Sequence, residues 1–267
     1  MAFDVVSVRP DKGPFRSPNF PLDVGDAFES MQTNLAPHGR FSADFALLTY
    51  IRFAYKLSLT QEQREAMLAR LPKWAGTDRF EIEARAEGNP ARDQMRLMMQ
   101  SLLADRFKLA VHFETQVVPV LALTPVKPGK MGPKLHPHAE GAPCDAPAEK
   151  PADGAQLFPP RCDVYMMAMS PEHMNRSGSR NTTMDLFASA IPGMGRVGRP
   201  VVNQTGLSGK YDFVLEWTPE PTSPVAPTAD GPTFLDALRE QLGLKLESTK
   251  APLTLLVIDH VELPSEN

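Results

Sequence analysis

Acidic side chains recur at alternate positions in two stretches, "RFEIEARAE" at 79–87 and "KYDFVLEWT" at 210–218. In an extended chain successive side chains point to opposite faces, so Phe80, Ile82 and Ala84, or Tyr211, Phe213 and Leu215, form an apolar face. Glu81, Glu83, Asp212 and Glu216 then project from the opposite faces. Were two such sheets paired, these carboxylates could hold Ca²⁺, which takes oxygen ligands, or work as acid and base with a histidine such as His260. A solvated sheet face is the plainer alternative.

The remaining reactive residue types form weaker patterns. Of six histidines only His136 and His138 are close in sequence. An H-x-H pair on a strand can share a metal, but "LHPHAEG" is interrupted by proline and no third ligand stands near it. It reads as a loop. Ser177 and Ser179 lie in "NRSGSRN", which lacks the strand–G-x-S-x-G–helix context of a nucleophile elbow and reads as a flexible polar loop. "QTGLSG" at 204–209 lacks the lysine of a phosphate-binding loop, so its glycines are assigned to a turn. No cofactor is expected.

The elements that must position these residues follow from periodicity. "FDVVSV" and "CDVYMMAM" alternate apolar residues and suit strands. "SADFALLTYIRFAY" (42–55) and "TMDLFASAI" (183–191) each begin with a hydroxyl residue, Ser42 or Thr183, followed by Asp44 or Asp185 and an apolar helical stripe. The hydroxyl can cap a free N–H and the carboxylate complements the dipole, so both are expected as helices. Further helices are expected at 92–107 and 233–243, where Met95, Met98, Met99 and Leu102, or Phe234, Leu235, Leu238 and Leu242, recur at helical spacing. Each half closes in "KLAVHFETQVVPVLALTPVK" (108–127) or "KLESTKAPLTLLVIDHVE" (245–262), expected to be a strand, a short turn and a second strand.

The same order therefore occurs twice, which predicts an α+β protein of two diverged β-α-β-α-β-β repeats, each a small, mainly antiparallel sheet covered by helices. The expected domains are 1–127 and 162–267, separated by a Pro/Gly-rich connector at 128–161.

Composition narrows the surroundings. The chain has 267 residues and a formal net charge of −4, with Lys and Arg scattered rather than clustered. Nucleic acid is accordingly not expected as a partner. No run approaches the ~18 apolar residues of a membrane span. The sequence enters an alternating stretch almost at once, and the expectation is a secreted or periplasmic protein whose signal peptide has been removed, Met1-Ala2 being left from cloning. The only two cysteines, Cys144 and Cys162, lie in Pro- and Gly-rich loop, where a disulfide is the economical use and two free thiols are the alternative.

"RPVVNQTGLSGKYDFVLEWTP" (199–219), "LLADRFKLAVHFETQVVPVLAL" (102–123) and "LREQLGLKLESTKAPLTLLVIDHVELPSEN" (238–267) together resemble a soil-associated family numerous in acidobacteria, the domain of unknown function 3738. The resemblance implies an exported protein, some members being attached behind membrane metallopeptidases of the antibiotic-sensing antirepressor type. It brings no established activity, cofactor or catalytic residue. The closing segments also resemble, more generically, small protein-binding domains at the periplasmic end of secretins and TonB-dependent transporters. The expected function is an exported, envelope-associated or extracellular binding module whose partner is an envelope protein or a small signalling molecule. The alternative is a secreted hydrolase of small esters or lactones, such as acyl-homoserine lactones, assisted by Ca²⁺.

Overall fold

The computed structural model describes residues 1–20, 22, 39–141, 162–163, 165–170, 173–219 and 231–264. Among them the chain is α+β, with three small, mainly antiparallel sheets and six α-helices. It divides into two compact units, one made of residues up to 117 together with those from 252 onward, the other of 118–251.

The first unit opens with β1 (Val5–Asp11), β2 (Arg40–Ala46), α1 (Leu47–Ala54), α2 (Gln61–Leu68), α3 (Trp74–Thr77), β3 (Arg79–Arg85) and α4 (Arg92–Arg106). β3 lies between β1 and β2 and is antiparallel to both, with Val8, Ile82 and Ala43 in one row. One face is apolar at every second residue and buries Phe41, Phe80 and Ile82 against Ile51 of α1 and Met95, Met99 and Leu103 of α4. Each such side chain contributes roughly 1.5–3 kcal/mol of transfer free energy. The Tyr50 hydroxyl ties α1 to this sheet, donating to the Phe80 carbonyl at 2.7 Å and accepting the Phe45 N–H at 3.0 Å.

Residues 42–46 are strand, where a helix was expected from Ser42. The helix begins at Leu47, and Ser42 pairs with Glu83 across the sheet. Phe41, Ala43 and Phe45 alternate, and a partner strand offering Phe80, Ile82 and Ala84 rewards that alternation more than a cap rewards a helix start. At the other expected cap, Thr183 accepts the Leu186 N–H at 3.2 Å and opens a helix as anticipated.

The second unit contains β5 (Leu135–Pro137), β6 (Tyr165–Met169), β7 (Asn175–Thr182), α5 (Met184–Met194), β8 (Val201–Asn203), β9 (Tyr211–Trp217) and α6 (Phe234–Ala237), which continues into a π-helical turn over Leu238–Leu242. Four strands form an antiparallel sheet in the order β5-β9-β7-β6. β9 alternates fully, and Tyr211, Phe213, Leu215 and Trp217 pack with Phe187, Ile191, Leu238 and Leu242. The segment read as a polar loop, "NRSGSRN", is an interior strand of this sheet: Ser177 and Ser179 are 0% and 1% exposed, and the Ser177 hydroxyl meets Met194 Sδ at 3.1 Å. Small side chains here let α5 sit close, which polarity alone does not reveal. A strand also occurs within the expected connector, since β5 pairs Leu135 with Phe213.

Each half was expected to close in a strand, turn and strand. Instead β4 (Ala110–Pro125) and β10 (Leu244–His260) are single long strands, neighbours in a sheet of order β10-β4-β8. In the first unit His112 meets Asp259, and in the second Thr124 meets Glu247 at 2.9 Å. Both unit boundaries fall inside these two strands, at 117/118 and 251/252, whereas loop composition put the divisions at 127 and 162.

Candidate functional site

The four strand carboxylates have separate surroundings. Glu81 and Glu83 lie on β3 and Asp212 and Glu216 on β9, in different sheets and different units. Glu81 is ion-paired with Arg16. Glu83 faces Ser7 and Ser42 across the sheet, in a shallow cavity of about 410 Å³ that Arg40 and Arg85 also line. Glu216 is held by Lys134 at 2.6 Å and Arg176 at 3.3 Å. His260 meets Glu262 at 2.7 Å, both of them exposed. Among the described residues no group of three or more His, Cys, Asp or Glu is placed to hold a metal ion. Cys144 lies outside the described residues, and Cys162 is buried.

Asp212 differs from the other three. His138, just beyond β5, donates its backbone N–H to the Lys210 carbonyl at 2.9 Å. That anchor sets its imidazole Nδ1 2.6 Å from Asp212 Oδ1. The same carboxylate oxygen accepts the Asn181 N–H at 2.8 Å. Asn181 sits where the β7–β9 register shifts between Ser179 and Thr182, with a left-handed φ of 59°. Such bulges re-aim backbone groups, and asparagine is among the few residues that tolerate this conformation.

The network extends outward from there. Asn181 Nδ2 donates to Asp163 Oδ1 at 2.8 Å, and Lys210 Nζ lies 3.5 Å from the same oxygen. Asp163 is itself left-handed at φ 58°, and Gly209 has φ 94°, a value that glycine alone adopts without strain. His138, Glu140, Asn181, Ser208, Lys210 and Tyr211 line a cavity of about 600 Å³. The His138 side chain is only 10% exposed. A carboxylate on Nδ1 orients the imidazole ring and favours the tautomer protonated at that nitrogen.

The sequence pointed to Asp212 with the other carboxylates or a histidine such as His260 as partners, but His260 meets Glu262 and the histidine beside Asp212 is His138. His138 stood out only as half of an H-x-H pair in a loop. The usable signal was that same alternate spacing, which puts both histidines on one face of a short strand, with His136 directly opposite Asp212. Asn181 gave no signal, because its role depends on a bulge in a strand that reads as a loop.

This is an α+β protein with a histidine–aspartate pair set in the wall of a polar cavity. The chain belongs to the family described as protein of unknown function (DUF3738), whose model matches residues 48–261. No curated protein and no solved structure matches it.

Proposed function

We propose that this is an exported module that binds an envelope protein by strand addition at β6. The observation carrying this reading is the state of that edge. β6 ends its sheet, and no described strand pairs with its outer side. Its sequence, Tyr-Met-Met-Ala-Met, contains neither the charges nor the proline with which natural edges are blunted, and Met167 and Met169 are 51% and 64% exposed. Because the Ser170 N–H donates to the Met174 carbonyl, alternation of the antiparallel ladder turns the backbone groups of Met167 and Met169 away from β7. An extended, uncharged segment of a partner would complete these hydrogen bonds, and methionine adapts readily to varied apolar side chains.

The test is photo-crosslinking from a benzoyl-phenylalanine at position 169, in envelope preparations of the producing cells. Met167→Pro removes an outward N–H and leaves the β6–β7 ladder intact. A discrete crosslinked partner that disappears in Met167→Pro supports the reading; equal crosslinking by both proteins counts against it.

The duplication belongs to the same proposal. What supports it is a shared order, in which β1-β3-β2 corresponds to β5-β9-β7, with a helix after β2 and after β7 and another between each central strand and its long closing strand. On this reading the second repeat begins at β5, and β6 and β8 are additions.

A further inference from the structure

We propose that the end of the β1-β3-β2 sheet carrying Arg40 and Arg85 binds small carboxylates that bear a hydroxyl or ammonium donor, a site independent of strand addition at β6. The observation carrying it is an uncompensated pair of cations. Arg85, on the central strand, has Arg40 directly opposite on β2 and Val5 directly opposite on β1. Like charges facing each other across a ladder destabilise a sheet, and no neighbour in this row offsets the cost. Among the described residues neither guanidinium has a hydrogen-bond or ion-pair partner. At the other end of the same face the arginines are paired, Arg79 with Asp44 and Arg16 with Glu81. A local rule kept at one end of a face and broken at the other marks the broken end as a functional position.

Both arginines line the cavity of about 410 Å³ together with Val5, Ser42 and Glu83, and that volume is within the usual range for small-molecule sites. Asn19 pins the β2 wall of this cavity. Its side chain accepts the Ser42 N–H at 2.7 Å and donates to the Arg40 carbonyl at 3.3 Å, while its own N–H donates to the Ser42 carbonyl at 3.0 Å. The strand that presents Arg40 is therefore fixed beside the cavity. The ligand class follows from the charges. A carboxylate between two guanidinium groups receives paired N–H donors in the fork geometry that arginine is built for. Glu83 stands two residues from Arg85 on the same face of β3, about 7 Å along the strand. There its carboxylate repels a polyanion and accepts from a hydroxyl or ammonium next to the bound carboxylate. Val5, 65% exposed, offers apolar surface to a short carbon chain. Hydroxy acids and amino acids have this layout of charge and donor, and polyphosphates do not.

The experiment is a nuclear magnetic resonance titration of the ¹⁵N-labelled full chain with sodium glycolate, glycine, acetate and pyrophosphate at constant ionic strength, chloride being the reference anion. It follows the arginine Nε–H signals, which Arg40→Lys and Arg85→Lys assign by deletion. Glycolate and glycine should shift both signals saturably and bind more tightly than acetate or pyrophosphate. Each lysine variant should raise the Kd for glycolate about 10-fold or more, since lysine keeps the charge but loses the paired donors. Glu83→Gln should remove the advantage of glycine over acetate. Arg9 lies on the same face opposite Glu81 but does not line the cavity, so Arg9→Lys should bind as the wild type does. Without ligand, Arg85→Gln should raise the urea midpoint by removing the like-charge opposition, the reverse of what a purely structural arginine would give. Circular dichroism establishes that each variant is folded, and Arg85→Lys serves for the midpoint comparison with Arg40→Gln should Arg85→Gln unfold. The proposal is overturned by glycolate shifts no larger than those of chloride, by an unchanged Kd in both lysine variants, or by pyrophosphate binding more tightly than glycolate. Each of these results leaves the crosslinking test of β6 unaffected.

Discussion

Asp44 has a carboxyl group that is 1% exposed, beside Asp11 and 3.0 Å from the Arg79 guanidinium. Burial, followed by a hydrogen bond with Asp11, pushes the Asp44 carboxyl above the usual carboxylate range. Asp11 is held below it, chiefly by the Gly13 N–H at 2.8 Å. The signs oppose. Asp44, raised on folding, stabilises fully below its unfolded value and loses that contribution as pH climbs through the folded value; Asp11, lowered, loses its contribution as pH falls. Asp44→Asn keeps a neutral donor beside Asp11 at every pH, so it should equal or exceed the wild type in stability at pH 7–8 and fall behind it only in acid. Urea midpoints at pH 4, 6 and 8 check this, and a midpoint for Asp44→Asn well below wild type at pH 8 would refute it. The sequence offered Asp44 only as a carboxylate near a helix start. Its burial depends on the pairing of β2 with β3 and on a loop far away in sequence, neither of which local pattern encodes.

At the scale of elements, α4 is capped at its C-terminus by Phe107, and the next residue, Lys108, is left-handed at φ 51°, while the Leu109 N–H returns to the Leu103 carbonyl at 3.2 Å. This is the geometry in which glycine usually terminates a helix. Lys108→Gly should therefore raise stability by about 0.5–1 kcal/mol, the relief of left-handed strain exceeding the entropy glycine adds to the unfolded chain, whereas Lys108→Val should lower it. Denaturant midpoints measure both. Elements were legible where one face is buried and the other wet, as in β9, whose alternation is unbroken. They were hidden where side chains are small, as in Ser177-Gly178-Ser179 of β7, or where a capping pattern overlies a strand, as at Ser42. The short turns expected within 108–127 and 245–262 are absent, because β4 and β10 continue as single strands through Pro119 and Pro252.

For the whole molecule, Cys162 is buried, and pairing with Cys144 would close a loop that, in the chain-entropy model, adds roughly 3 kcal/mol. Intact mass after alkylation without reductant should show no labelled thiol in protein recovered from an oxidising compartment, and two labels would exclude the bridge. Composition located the Pro-rich stretches, but it could not reveal that the units exchange strands, because β4 and β10 each read as a local unit of sequence. That exchange has a temporal consequence. Residues from 252 onward belong to the first unit, so the residues up to 117 lack this last strand until the whole of 118–251 has been made. Closure of that unit must wait for residues made more than a hundred positions later, with the loop-closure entropy and slow nucleation such distant pairing entails. A chain built in this order has its first unit incomplete until the end of β10 has been made.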